Sequence, residues 1–306
     1  MSDLIDPMHA TSAAVNRRAF VGLSAGAALA GASIAQALAQ GSNLGKPHPP
    51  LVAEDDPDIR AGWTTLQRPD KAIRAYHAAP KDAGPHTPGV VITMHIWGVD
   101  TSMRDFARRL AKIGYVAIIP DLYDRFNAPS GDGTTDYKPF VAIAGNLIDA
   151  QVDGDLNAGA QWIRERHPRG KIGVTGFCMG GSIALRQAVD SSIFAACAVF
   201  YGKVRYATGG APGNNQGTIT RMALAYTDEI RMPVCGNFGE RDTSILGDDV
   251  RALQKKLTAL NTPNDIKVYR EAGHAFMDDQ RDSYVASAAS DAWNRTTAFF
   301  AKYLKV

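Results

Sequence analysis

Along this chain, short runs that are apolar at every position exchange repeatedly with longer stretches that carry an apolar stripe. Val90-Val91-Ile92-Thr93-Met94 is too short for a helix and apolar on both faces, which predicts a buried strand. Beyond the loop His95-Ile96-Trp97-Gly98-Val99-Asp100, the positions Met103, Phe106, Ala107, Leu110 and Ile113 recur at helical spacing. Residues 115–120 return to a strand pattern. The order then repeats: Trp162 precedes a strand at 172–175, an elbow helix at 182–188 precedes one at 195–201, and a helix at 250–260 precedes one at 266–269. Upstream, residues 63–67 and 73–78 read as two short strands turned by Pro69-Asp70. Residues 282–304, with Tyr284, Ala288, Trp293, Phe299, Phe300 and Tyr303, predict a closing helix. Alternation of this kind implies an α/β fold, a mostly parallel central sheet with helices on both faces.

Sheets of that class gather functional groups in the loops at the carboxyl ends of their strands. This selects the His95 loop, residues 121–125, 176–181 and 239–242, and Gly273-His274-Ala275-Phe276. The central stretch is Gly176-Phe177-Cys178-Met179-Gly180-Gly181, which ends a strand and opens a helix. Such a nucleophile elbow lifts one side chain out of the sheet on a turn that only small neighbours allow. Sulfur stands here where the motif usually has a serine oxygen. A cysteine nucleophile needs an imidazole to generate the thiolate and an acid to fix that imidazole's tautomer. Cys178, Asp242 and His274 supply the set in the chain order nucleophile, acid, histidine that such sheets use. Asp242 is singled out by position, since Asp248 and Asp249 could equally cap the next helix.

Composition narrows the class. A chain of 306 residues with 45% hydrophobic and 21% charged residues suits one large α/β domain. Its net charge of +2 and lack of a basic block argue against a nucleic-acid partner and point to a small-molecule substrate. Cys197 and Cys235 lie in apolar runs and are expected in the core, and three cysteines make no disulfide framework. No ligand spacing suggests a metal, and no cofactor is expected. Asn16-Arg17-Arg18-Ala19-Phe20-Val21, an Ala/Gly-rich run at 22–35 and Ala37-Leu38-Ala39 resemble a twin-arginine export signal. The run is short and interrupted by Ser24 and Ser33, with Gln36 just beyond, which argues against a membrane anchor. The expected organisation is a cleavable signal at 1–39, a linker at 40–57 and a catalytic domain at 58–306. The expected product is an exported, periplasmic monomer. Its precursor engages the twin-arginine export machinery, and the mature chain has no membrane contact.

Five blocks taken together resemble the dienelactone hydrolase family, cysteine-dependent members of the α/β-hydrolase fold. They are Ile96-Trp97-Gly98-Val99, residues 114–123, residues 176–181, residues 239–242 and residues 273–276. The resemblance implies Cys178 as nucleophile, His274 as base, Asp242 as its orienting acid, and an ester or lactone substrate passing through an acyl-thioester. Backbone N–H groups of Ile96 and Met179 are expected to form the oxyanion hole. Two departures stand out. The family commonly has glutamate where this chain has His95, and a cationic imidazole there would lower the thiol pKa relative to a His95→Glu variant. Arg125 matches one arginine that carboxylated lactones require, but the second position reads Met277-Asp278-Asp279, with Arg281 at a different spacing. A generic ester or lactone is therefore expected rather than a carboxylated dienelactone. The alternative is a catalytically silent or acyl-transferring relative that binds small carbonyl compounds. Residues 131–154 and 209–220 are expected to form loops or lids over the site.

Overall fold

The computed structural model describes residues 47–204 and 230–305, with only the backbone of Asp190. The expected alternation is present as a single eight-stranded sheet in the order β1-β2-β4-β3-β5-β6-β7-β8. β1 (Ile59–Leu66) and β2 (Ile73–Pro80) form an antiparallel hairpin in register from Ile59 opposite Pro80 to Leu66 opposite Ile73. β2 also runs antiparallel to β4 (Val116–Pro120). From β4 onward every pairing is parallel: β4 with β3 (Gly89–Thr93), then β5 (Ile172–Phe177), β6 (Ala196–Phe200), β7 (Val234–Gly239) and β8 (Asn264–Tyr269). The five strands β3 to β7 are buried at every position, because helices cover both their faces. That is why they read as unbroken apolar runs. β1 and β8, at the edges, are largely intermediate or exposed: β1 is buried only at its two ends and β8 only at Tyr269.

One face is covered by α1 (Thr101–Lys112) and α6 (Ala286–Leu304), joined where Phe106 meets Trp293 edge to face at 5.2 Å. Short α2 (Lys138–Ala144) precedes α3 (Asp149–Arg166), which covers the other face with α4 (Met179–Asp190). These two are tied by Arg186 donating to Asp153 at 2.7 Å. α5 (Gly247–Ala259) packs on β8. Met103, Phe106, Ala107 and Leu110 are buried as the spacing predicts, while Ile113 forms the C-cap of α1.

Two element starts differ most from expectation, each by four residues. β1 begins at Ile59 because the hairpin register extends back to Pro80. The closing helix begins at Ala286, since a turn closed by the Tyr284 N–H donating to Arg281 O at 3.0 Å precedes it and the Val285 N–H donates to Phe276 O at 3.0 Å. The expected lid at 131–154 contains α2 and the first turn of α3. Residues 209–220 and the expected signal at 1–39 lie outside the described residues. Among the described residues, no helix is long and apolar enough to cross a membrane. Cys197 and Cys235 are buried free thiols, and burial raises the pKa of both.

The strand order places the site. Chain progression from β3 goes to β4 on one side, and β5 then returns to pair with β3 on the other. A crevice opens at such a reversal, beyond the carboxyl ends of the two strands. Cys178 follows β5 directly.

Candidate active site

Cys178 sits at the N-cap of α4 with φ 55° and ψ −118°, a left-handed backbone that side chains rarely adopt. The surroundings impose it. The Cys178 N–H donates to Phe200 O at 3.0 Å, and its carbonyl accepts from the Ser182 N–H at 3.2 Å. Phe177 stacks on Phe200 at 4.6 Å. Thr93, at the end of β3, donates its hydroxyl to Gly180 O at 2.5 Å. A side chain on Gly180 would overlap the carbonyl oxygens of Thr93 and Met94, and one on Gly176 would overlap Thr93 and Gly180. The two glycines are therefore required by close packing of strand against helix, not by their own dihedrals.

His274, in the loop after β8, places Nε2 3.0 Å from Cys178 Sγ. Its Nδ1 lies 2.6 Å from Asp242 Oδ2, in the loop after β7. Asp242 is held in turn by Ser244, whose N–H and hydroxyl donate to Oδ1 at 2.8 and 2.7 Å. The Tyr201 ring meets the imidazole edge to face at 5.3 Å. Burial disfavours charge on His274, yet its hydrogen bonds to Asp242 and Cys178 dominate and raise its pKa to about 10. Burial also opposes a thiolate, but His274, the Met179 N–H and His95 together bring the Cys178 pKa below its ordinary 9.0. Asp242 is likewise lowered: burial raises it, and His274 and Ser244 outweigh that. The lowered thiol pKa, the raised imidazole pKa and the helix N-terminus all act in the direction of moving the Cys178 proton to His274.

The His95 loop closes on itself, with the Gly98 N–H donating to His95 O at 3.2 Å and Gly98 at φ 81°. Tyr123 donates its hydroxyl to Ile96 O at 3.0 Å, fixing that carbonyl within the loop that borders the thiol. Ile96 and Met179 both line the cleft with Cys178 and His274. The cleft holds about 660 Å³, and the His274 side chain keeps 35% of its surface, so the nucleophile is reachable.

His95 is brought near but not into the cleft. It is buried, with Nε2 2.9 Å from Asp100 and Nδ1 3.6 Å from Asp278. Arg281 closes the group, 3.1 Å from Asp278 and 3.6 Å from Asp100, and its guanidinium lies 3.8 Å from the centre of the Trp97 ring. Among the described residues, His95, Asp100 and Asp278 are the one set with three potential metal-ligand atoms within 4.8 Å. Arg281 already supplies there the positive charge that an ion would bring.

The structure does not bring Arg125 to the cleft. Its guanidinium forks onto Asp155 at 2.7 and 2.9 Å and onto Asp70 at 2.9 and 3.3 Å, with Asp155 also held by Arg68 at 2.8 Å. Asp70 and Asp155 lie 55 and 30 residues away in sequence, so no local pattern announced the pairing. Ser244 and Tyr201 were also missed. Ser244 follows Asp242 at the spacing of an Asx turn, a signal that was readable.

A Cys–His–Asp arrangement at the carboxyl edge of a mostly parallel eight-stranded sheet defines an α/β-hydrolase with a nucleophile elbow. Residues 73–304 match the model of the dienelactone hydrolase family. The chain is 33% identical over 258 residues to a "Putative carboxymethylenebutenolidase" of Escherichia coli (strain K12), covering 83% of this chain and 91% of the relative. A protein of the same description from Yersinia pestis is 35% identical over 251 residues, covering 80% and 89%. The crystal structure titled as a putative dienelactone hydrolase from Klebsiella pneumoniae superposes with a TM-score of 0.71 at 35% identity, covering 80% of this chain and 99% of that one. This chain belongs to the dienelactone hydrolase family.

Proposed function

We propose that the chain hydrolyses small carboxylic esters or lactones with Cys178 as nucleophile, His274 as general base and acid, and Asp242 as the group orienting His274. Family membership makes the protein a carboxylic ester hydrolase, and the relatives from Escherichia coli and Yersinia pestis carry the description "Putative carboxymethylenebutenolidase". The observation that carries the finer reading is the continuous chain of contacts from Cys178 Sγ to His274 Nε2 at 3.0 Å and from His274 Nδ1 to Asp242 at 2.6 Å. In this reading the thiolate attacks the substrate carbonyl. The tetrahedral oxyanion takes hydrogen bonds from the Met179 and Ile96 N–H groups, each typically worth about 3 kcal/mol of barrier. His274 gives its proton to the departing alkoxide, leaving an acyl-thioester on Cys178. Water deprotonated by His274 then releases the acid and restores the thiol.

The decisive experiment is turnover of an ester and lactone panel by Cys178→Ala, where a loss of roughly a thousandfold or more is expected. Near-native activity in that variant rejects Cys178 as nucleophile. The sequence around Arg17 and Arg18 further supports export by the twin-arginine route, with cleavage after Ala39 and a periplasmic product. Arg17→Lys with Arg18→Lys is expected to leave unprocessed protein in the cytoplasm. Unchanged processing in the double variant excludes that route.

A further inference from the structure

We infer that the cleft selects uncharged esters carrying an apolar acyl or alkoxy group and discriminates against substrates that bear a carboxylate. This rests on the hydrolase reading and specifies its substrate class. Trp97, Tyr137, Val141 and Ala144, together with Ile96 and Met179, line the cleft that holds Cys178. Three of these come from α2 and its N-cap, which cover the site as a short apolar shelf. Tyr137 and Val141 are also exposed at 56% and 37%, so the apolar surface continues from the cleft to its rim. Exposed large apolar groups beside a concave site mark where an apolar ligand part is covered on binding.

Arg125 and Arg281, the two arginines that the sequence pattern offers for a substrate carboxylate, are committed elsewhere. Arg125 is held in its double fork to Asp70 and Asp155 and does not line the cleft. Arg281 also lies outside the lining. It packs on the Trp97 ring, pairs with Asp278, and donates to Thr134 O at 2.8 Å and Gly131 O at 3.3 Å. Lys203 does line the cleft, but it already has an interaction partner. A single ammonium also offers a carboxylate no bidentate fork. The acid of the site, Asp242, lines the cleft beside Cys178, 2.6 Å from His274. A carboxylate entering beside Asp242 loses its hydration against Trp97 and Val141, and no guanidinium among the described lining residues replaces it.

The test uses two 4-nitrophenyl esters of the same chain length, the hexanoate and the adipate monoester, which differ by a terminal methyl against a terminal carboxylate. The full chain is expected to favour the hexanoate in kcat/KM by roughly tenfold or more. Val141→Lys, which sets a cation on the apolar lining, is expected to narrow that ratio. Equal turnover of the two esters, or a preference for the adipate, overturns the inference. So does a ratio that Val141→Lys leaves untouched. Cys178→Ala separates the two levels: turnover surviving in that variant rejects the nucleophile, whereas a reversed preference that vanishes with Cys178 rejects only the substrate class.

Discussion

His95 has a carboxylate against each ring nitrogen, Asp100 at 2.9 Å from Nε2 and Asp278 at 3.6 Å from Nδ1. A neutral imidazole would turn a lone pair toward one of them, so the arrangement fits the imidazolium. Burial works against that charge, but Asp100, Asp278 and the thiolate of Cys178 prevail and raise the His95 pKa. The same field acts back on Cys178, favouring its thiolate before any substrate arrives. Replacing His95 by Glu or Gln removes the cation, so the thiol pKa is expected to rise. The measurement is the iodoacetamide alkylation rate of Cys178 against pH, whose midpoint moves upward in both variants. Asp278→Asn, which leaves the imidazole in place but weakens its charge, is expected to move it the same way. Superimposable profiles for wild type and His95→Glu sink the idea. Little of this network was legible in sequence. His95 stood out as a departure at a strand end, but its partner Asp278 lies far along the chain, and only folding brings the two together.

At the scale of elements, what could be read were features whose cause is local. The wholly apolar runs of β3 to β7 follow from burial on both faces, and the stripe on α1 follows from its packing over the sheet. Elbow, acid and histidine were found because each occupies the first turn beyond a strand, where the fold class puts its chemistry. Pairing across elements was not readable. Arg125, in the 3-10 turn Asp124–Phe126, reads as a ligand-binding side chain because it matches an arginine of the family pattern for carboxylated lactones. The fold instead sets it against Asp155 on α3 and Asp70 in the β1–β2 turn, where it joins three elements that no short window spans. The polar side of α1 misleads in the same way. Asp105, Arg108 and Arg109 are buried, because residues 52–54 and Asp279 fold over a face that periodicity assigns to solvent. Asp100 shows how tightly the elements share parts. It accepts from the Met103 N–H as the N-cap of α1 and also holds His95 behind the thiol.

For the whole molecule, the buried acids beneath the 275–285 loop set a pH dependence that can be isolated at Asp279. Its side chain is buried, 3.4 Å from Arg109 and 3.9 Å from His48, while the His48 N–H donates to the Asp279 carbonyl at 2.8 Å. Burial is the largest influence and raises its pKa. Arg109 pulls it down, and Asp105, Asp278 and Asp100 push it further up, giving about 7 against an ordinary 3.8. The folded protein thus keeps this proton up to about pH 7, while the unfolded chain releases it near 3.8. Stability from this group is therefore complete in acid, falls as pH rises between those values, and is level beyond them. Asp279→Asn cannot titrate, so the unfolding free energy of wild type minus that of the variant is expected to decline from pH 4 to pH 7 by at most about 4 kcal/mol. Urea denaturation at a series of pH values measures this difference, and the shared titrations of the other groups cancel in it. A difference that stays flat, or rises with pH, shows that Arg109 and His48 keep Asp279 ionised in the fold, the opposite charge state from the one argued.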